Sequence, residues 1–404
     1  MYDYCVIGAG IVGLATALAI LENDPKTRIV VLEKETVPGW HQTGHNSGVI
    51  HSGIYYSPGS LSADLCARGA EETKRFADEN AVPFIECGKL IVATNMIELA
   101  RLEAFRDTTT HSSISVEWLK REALRQAEPH VSGLAALRVK ETSIIDYCRV
   151  CDAMVARLIA SGAEVKFSRP ASAIYETESR VTVWTGTEKY DAQHLVVCGG
   201  LQADRLARMA GLSPDLRIVP FRGEYFRLDG RHNNITQHLI YPVPDPDSPF
   251  LGIHFTRLID GGVTVGPNAV LGLHREGYSG RYSVRWPDAV SALSFPGLWR
   301  LLARHWRATL AETRNSLFQS YYLRECRKYC ASLNLTDLNR YPPGIRAQAV
   351  MPDGTLPNDF IFSDTKRMTH VLNVPSPAAT AALPIGRMIA ERIHKEKMAV
   401  PVCQ

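Results

Sequence analysis

The opening thirty-four residues constrain the fold more than any other stretch of the chain. Tyr2 to Ile7 reads as a strand, and Gly8-Ala9-Gly10-Ile11-Val12-Gly13 reads as the turn that follows it. Ile11, Leu14, Ala15, Leu18 and Leu21 then recur near the helical period until Asn23-Asp24-Pro25 ends the run. A second strand, Arg28 to Leu32, delivers Glu33 20 residues after Gly13. A dinucleotide pyrophosphate needs this order of parts. Gly8 permits the tight turn, Gly10 lets the backbone approach the phosphates, and Gly13 lets the helix pack close to the strand. The helix N-terminus offers unpaired N–H groups and the positive end of its dipole to the anion. Glu33 can accept hydrogen bonds from a ribose diol, and its charge opposes a 2′-phosphate, so FAD or NAD is expected rather than NADP. Ile11, Val12 and Lys34 border these residues and are expected cofactor contacts as well.

The chain has 404 residues, enough for two domains, and a net charge of only +3, which gives no general argument for nucleic acid. Its nine cysteines, an odd number and scattered, suit reduced thiols better than a disulfide framework. Cys148-Arg149-Val150-Cys151 has CxxC spacing without a second pair, so both thiols are expected to pack rather than bind metal. His41 and His45 lie on a glycine-rich loop where their spacing aligns no ligands, and no metal site is expected. No apolar run approaches the roughly 18 residues of a spanning helix, and a fingerprint strand at Tyr2 leaves no room for a leader. A cytoplasmic location is expected.

Strand and helix signals alternate in blocks. A loop runs from Gly39 to Gly59, helices are expected over Glu71 to Asn80 and Glu98 to Asp107, and Lys89 to Thr94 reads as a strand. Glu117 to Ala127 reads as helix, as does Cys151 to Ala160. His194 to Cys198 reads as a buried strand entering Gly199-Gly200 and a helix over Ala203 to Ala210, a second arrangement that points N–H groups at an anion. Strands dominate Arg217 to Val265, with alternation over Phe221 to Arg227 and Phe250 to Arg257. Helix returns over Pro287 to Tyr329, and a last helix spans Ala378 to Lys395. The expected class is α/β. A Rossmann-like nucleotide domain would be assembled from residues 1–85, 141–215 and 336–404, and a β-rich α+β substrate domain inserted as 86–140 and 216–335.

Three further stretches match one family. The first is His41-Gln42-Thr43-Gly44-His45-Asn46-Ser47-Gly48-Val49-Ile50-His51-Ser52-Gly53-Ile54-Tyr55-Tyr56. The second comprises Pro220-Phe221-Arg222-Gly223-Glu224-Tyr225-Phe226 and Gly344-Ile345-Arg346-Ala347-Gln348-Ala349-Val350, followed by Pro352-Asp353-Gly354. The third is Asn373-Val374-Pro375-Ser376-Pro377-Ala378-Ala379-Thr380. From Met1 to about Arg392 the chain resembles the L-2-hydroxyglutarate oxidase/dehydrogenase family, within the FAD-dependent D-amino-acid-oxidase-like superfamily. The resemblance implies FAD, held without a covalent bond. It also implies flavin contacts from Thr43, Gly44, Asn46, Ser47, Gly48, Ala171, Gly199, Gly200, Pro377, Ala378, Ala379 and Thr380. Small residues before the last helix would bring N–H groups to the flavin pyrimidine edge, where reduction places negative charge.

Oxidising a 2-hydroxy acid needs a hydride acceptor, a base for the hydroxyl proton and a clamp for the carboxylate. Histidine suits the base, since its ordinary pKa lies near neutrality. His51 is the first candidate because it follows the flavin-contacting turn, and it could instead only shape the loop. His254 is the rival, because Gly252, His254 and Thr256 share a strand face. Arg346 is the expected clamp, on the family pattern and on the bidentate fit of guanidinium to carboxylate. Arg222, Arg257, Tyr55, Tyr56 and Tyr241 are candidates for the far carboxylate of a dicarboxylic substrate. Arg222 and Glu224 share a face and can instead pair with each other. No nucleophile elbow or paired-carboxylate spacing is present.

The expected partners are a small dicarboxylic 2-hydroxy acid and an electron acceptor, quinone or O2, with no nucleic acid. Arg300, Arg304, Arg307 and Arg314 fall at helical spacing beside Trp299, Leu302, Trp306 and Leu310. Such a helix either packs its apolar face on the protein or lies on the cytoplasmic face of an inner membrane as a peripheral contact. Three alternatives remain: amine oxidation of the D-amino-acid or glycine oxidase kind, glycerol-3-phosphate oxidation, and a flavoprotein that binds or modifies RNA. A flavin-binding module without catalysis would leave His51 and Arg346 without a role.

Overall fold

A computed structural model describes residues 1–57, 59–109, 114–245, 251–280 and 283–399. The fingerprint strand Tyr2–Ile7 lies in the middle of an eight-stranded sheet, parallel to Ile29–Leu32 on one side and to Glu188–Val197 on the other. Glu164–Lys166 extends the sheet beyond Ile29–Leu32. Met368–Asn373 runs parallel to the end of Glu188–Val197, so a strand from near the C-terminus joins the sheet begun at residue 2. Ile29–Leu32 and the ends of the two strands beside it, Cys5 to Ile7 and Leu195 to Val197, are apolar and buried, as parallel strands covered on both faces must be. The helix Ile11–Asn23 is buried on nearly every side and packs on the C-terminal helix Ala382–Ala399. The contact is close because it meets Gly386: a Cβ there would lie 2.5 Å from the Ala15 carbonyl carbon.

The second sheet has nine strands and is mainly antiparallel. Its spine is a long pair, Arg217–Leu228 against Leu338–Val350, with an irregularity between Gly223 and Tyr225. Val263–Gly266, His254–Arg257, Leu239–Pro242, Lys89–Ala93, Ala135–Val139 and Val116–Lys120 follow in order across the sheet. One face packs Leu90, Val92, Ile240, Phe255 and Val265 into its own core, while Ile91, Ala93, Leu239 and Tyr241 face Val49 and Ile144 of the nucleotide-binding part. A small sheet of Val49–Ile50, Ser143–Ile145 and Phe84–Glu86 lies at this junction.

The expected separation into an interrupted α/β part and an inserted β-rich part is present, with differences. Leu338–Val350 pairs along its length with Arg217–Leu228, so it lies in the larger sheet rather than with the nucleotide-binding segments. The stretch expected as one helix over Glu117 to Ala127 begins as the strand Val116–Lys120 and is helical only from Arg121. In the other alternating stretch the strand starts at His254, and Phe250 lies outside the described residues. The final helix starts at Ala382, four residues later than its sequence suggests. The run carrying Arg300 to Arg314 is two helices, Pro296–Arg304 and Trp306–Leu317, broken at His305. Trp299, Trp306 and Leu310 are each more than half exposed, while Leu302 packs with Leu298 and Leu301 on the core around Phe221 and Val350, so the apolar residues divide between protein and solvent.

Candidate active site

The glycine turn is built for an anion. Gly8 has φ +104°, and a Cβ on it would lie 2.5 Å from the Cys198 carbonyl oxygen, while one on Gly13 would lie 2.0 Å from the Gly8 oxygen. No acidic residue occupies the first turn of Ile11–Asn23, and its N-cap, Gly10, offers no side chain. Thr43 Oγ1 accepts from the Ile11 N–H, which brings the histidine-rich loop to the helix N-terminus. Glu33 is buried and accepts from the Ala9 and Glu35 N–H groups, which aims its remaining lone pairs along the turn. Lys34 is engaged elsewhere, with Glu35, with Glu276 at 3.1 Å and with His41. Its ammonium thereby occupies the group formed by Glu35, His41 and Glu276, the one set of clustered metal-type ligands among the described residues. Gly200 has φ +49° and lies against Gln42, whose Oε1 accepts from Ala347 N–H of the long strand pair. Ala171 packs at the edge of the core around the parallel strands.

The loop from Thr43 to His51 is held by local hydrogen bonds. Asn46 donates to the Thr43 carbonyl and accepts from Gly48 N–H. Gly39 and Gly44 pack on Cys151 and Cys148, so the CxxC pair supports the loop, and both cysteines are free thiols. Thr380, fully buried, accepts from His51 N–H, and its carbonyl accepts from Thr73. The Thr380 hydroxyl thus fixes His51 from 329 residues away. Tyr56 Oη donates to the Ser376 carbonyl and closes the same corner.

Across the junction, the larger sheet presents one face with chemistry on it. Tyr241 and His254 stack at 4.2 Å between ring centroids. His254 Nδ1 lies 3.3 Å from the Gly252 carbonyl, which identifies it as the protonated nitrogen, since a carbonyl can only accept. Nε2 is left as the lone-pair nitrogen, buried and without a partner. Burial, followed by the charges of Arg346 and Lys89, pushes the His254 imidazole down to about 3, against the Gly252 hydrogen bond. His51 is likewise pushed to about 3 by burial and then by Lys89 and His254, although part of its surface stays accessible. Both rings are therefore neutral near neutral pH. Arg346, on Leu338–Val350, is exposed, and its charge reaches His254 and the half-buried Tyr225.

Of the candidates for a second carboxylate, three are engaged. Both Arg222 Nη atoms donate to the Gly277 and Gly280 carbonyls, while Glu224 accepts from Asn268. The alternative pair of Arg222 with Glu224 does not form, because the strand irregularity begins at Gly223 and breaks the alternation between them. Arg257 donates to Gln237, and Tyr56 is tied to Ser376. The Tyr55 hydroxyl remains buried without a partner, and that of Tyr241 is buried beside Ser47 and Thr256. Sequence reasoning missed Lys89. It is 1% exposed at the head of a strand whose five residues are all buried, and its Nζ lies 4.4 Å from the Tyr55 ring centroid and 5.1 Å from that of Tyr241. A lysine opening so apolar a strand, in step with Ile91 and Ala93, was the available signal.

A dinucleotide cradle in one sheet, with an arginine and two neutral histidines at the junction with the other, suits a redox flavoprotein. The chain belongs to the FAD dependent oxidoreductase family, which it matches over residues 3–392. Its cofactor is FAD, and the cradle, the uncapped helix and buried Glu33 fit that group. Within the family it is 48% identical over 396 residues to L-2-hydroxyglutarate dehydrogenase of Escherichia coli (strain K12), covering 98% of this chain and 93% of that protein. It is 39% identical over 409 residues to the mitochondrial L-2-hydroxyglutarate dehydrogenase of Caenorhabditis elegans, covering 98% and 94%. The family resemblance carried by the loop and strand motifs is thereby borne out. Among solved structures, L-alpha-glycerophosphate oxidase from Mycoplasma pneumoniae has the same fold, with a TM-score of 0.78 at 20% identity over 97% of this chain and 94% of that one.

Proposed function

We propose that this flavoprotein oxidises L-2-hydroxyglutarate to 2-oxoglutarate. Bound FAD, held without a covalent bond, supplies the hydride acceptor. Arg346 pairs with the carboxylate next to the reacting carbon and orients it. His254 Nε2 takes the hydroxyl proton, and the Gly252 carbonyl bonded to Nδ1–H stabilises the resulting imidazolium. The observation that carries this reading is the unpartnered, buried Nε2 of His254, which feels the Arg346 charge on the face turned to the nucleotide-binding part. It favours His254 over His51 as the base, and leaves His51 as a second neutral ring tethered by Thr380. The identity to dehydrogenases named for L-2-hydroxyglutarate supports the substrate.

The acceptor in this reading is a quinone reached from a membrane surface. Among the described residues no helix is long and apolar enough to cross a membrane. Trp286, Val290, Trp299, Trp306 and Leu310 are exposed along three successive helices, with Arg304 and Arg307 beside them. Behind these helices an apolar cavity of about 240 Å³ is lined by Leu301, Leu302, His305 and Phe221, the last directly opposite Arg346 in the strand pair. Anaerobic mixing with L-2-hydroxyglutarate is expected to bleach the flavin rapidly, whereas D-2-hydroxyglutarate, L-lactate and glycine do not. Bleaching by glycine, or none by the L-dicarboxylate, would overturn the assignment.

A further inference from the structure

Lys89 is a buried cation with no anion near it among the described residues. It makes no hydrogen bond or ion pair with any described residue, although its aliphatic stem and ammonium lie between the rings of Tyr55 and Tyr241. The groups whose protonation is coupled to Lys89 are His51, His254 and Cys66. None is an anion near neutrality: the imidazoles are neutral, and burial pushes the Cys66 thiol up to about 12. The Tyr55 and Tyr241 phenols are raised above their ordinary value by burial and stay protonated. An ammonium placed in low dielectric without a counter-charge is costly, and burial alone lowers Lys89 to about 7. Beside it the Tyr55 hydroxyl is buried without a partner, and the Tyr241 hydroxyl, buried next to Ser47 and Thr256, is the second phenol by the ammonium. Phenol hydroxyls beside a lone cation are donors complementary to a carboxylate, whereas the Nε2 lone pair of His254 is left to the substrate hydroxyl.

Both cations act on the proposed base. His254 feels both Lys89 and Arg346, whereas His51 feels Lys89. Arg346 is exposed and Lys89 is sealed, so a diacid would enter with its far end leading. We propose that Lys89, with the Tyr55 and Tyr241 hydroxyls, binds the distal carboxylate of the substrate and makes the site select five-carbon diacids over monoacids. The proposal rests on the 2-hydroxyglutarate reading and names the residue that sets its chain-end specificity. Substrate binding then removes the isolated charge, so the ammonium holds its proton more firmly in the complex than in the free enzyme.

The test uses the FAD-loaded full chain with Lys89→Met and Lys89→Arg. Two ligand pairs are compared: L-2-hydroxyglutarate with L-2-hydroxypentanoate for flavin reduction, and 2-oxoglutarate with 2-oxopentanoate for calorimetric binding. Wild type is expected to prefer the diacid strongly in both assays. In Lys89→Met that preference should fall by about 30-fold or more, through weaker diacid binding with monoacid values nearly unchanged. Lys89→Arg should retain part of it. Methionine removes a buried charge while keeping the stem, so flavin content and thermal midpoint should hold or rise. In wild type kcat/KM for the diacid should decline as pH rises through about 7, where free Lys89 loses its proton, and Lys89→Arg should lack that limb. A Lys89→Met enzyme that keeps both flavin and diacid preference overturns the role of Lys89. A wild-type enzyme not reduced by L-2-hydroxyglutarate overturns the reading beneath it, a result independent of either variant.

Discussion

His254 and His51 are alike in chemistry and burial-driven pKa, yet their surroundings give them different work. His254 has one nitrogen assigned by a backbone carbonyl and the other presented as a lone pair, whereas His51 is positioned through its backbone by Thr380. Replacing His254 by Gln keeps a polar group of similar size and removes the proton acceptor. Flavin reduction by L-2-hydroxyglutarate is expected to slow by about 10²–10⁴ with flavin still bound. His51→Gln should cost less, and stopped-flow reduction rates of the two variants decide between them. A larger loss at His51 would return the base to that residue. At this scale legibility was uneven. Arg346 and both histidines carried motif or residue-type signals, but the choice between them depends on which ring meets a carbonyl, a tertiary fact absent from spacing. Lys89 was overlooked for a related reason: a lysine beginning a strand ordinarily points to water, and the weak signal of its step with Ile91 and Ala93 gains force only from the burial of all five positions.

Among elements, the helix Ala203–Met209 is joined to the inserted part by a buried ion-pair network. Arg275 is 1% exposed and donates to both Asp204 oxygens and to the Leu201 carbonyl, while Arg208 shares Asp204. Burial alone would raise Asp204, but the hydrogen bond and charge of Arg275 hold it below the usual carboxylate value. Because the folded pKa lies below the unfolded one, this contribution is complete above the ordinary carboxylate range and is lost as pH falls beneath it. Arg275→Ala leaves Asp204 buried and short of its main partner, and is expected to cost about 3–5 kcal/mol in denaturant unfolding near neutrality. The loss should shrink below about pH 4, as Asp204 protonates in wild type too. The fingerprint elements were legible because turn, helix and strand periodicities agree there with the tertiary answer. Glu117 to Ala127 was not, since its first half pairs with Ala135–Val139 and pairing overrode a helix-favouring composition. The Arg300–Arg314 run looked continuous because a break at a single histidine leaves the spacing almost intact.

The whole molecule exposes Trp286, Trp299 and Trp306 along three successive helices, away from the sheet that carries the dinucleotide turn. If the helical face docks on lipid, Trp299→Ser with Trp306→Ser should reduce flotation with anionic vesicles by about tenfold or more, with anaerobic flavin reduction unchanged. Equal flotation would remove the membrane from the functional reading.

The path of the chain also bears on how the enzyme is made. Residues 49 to 51 are held by Thr380, the first helix lies against the last, and a strand near residue 370 completes the sheet begun at residue 2. A nascent chain therefore carries the complete phosphate-binding turn long before it carries the partners that steady it. The cofactor pocket closes only once residue 380 has been made, so FAD loading follows that point in biogenesis, and a premature stop before residue 380 would yield a chain with the right fingerprint and nowhere to keep its flavin.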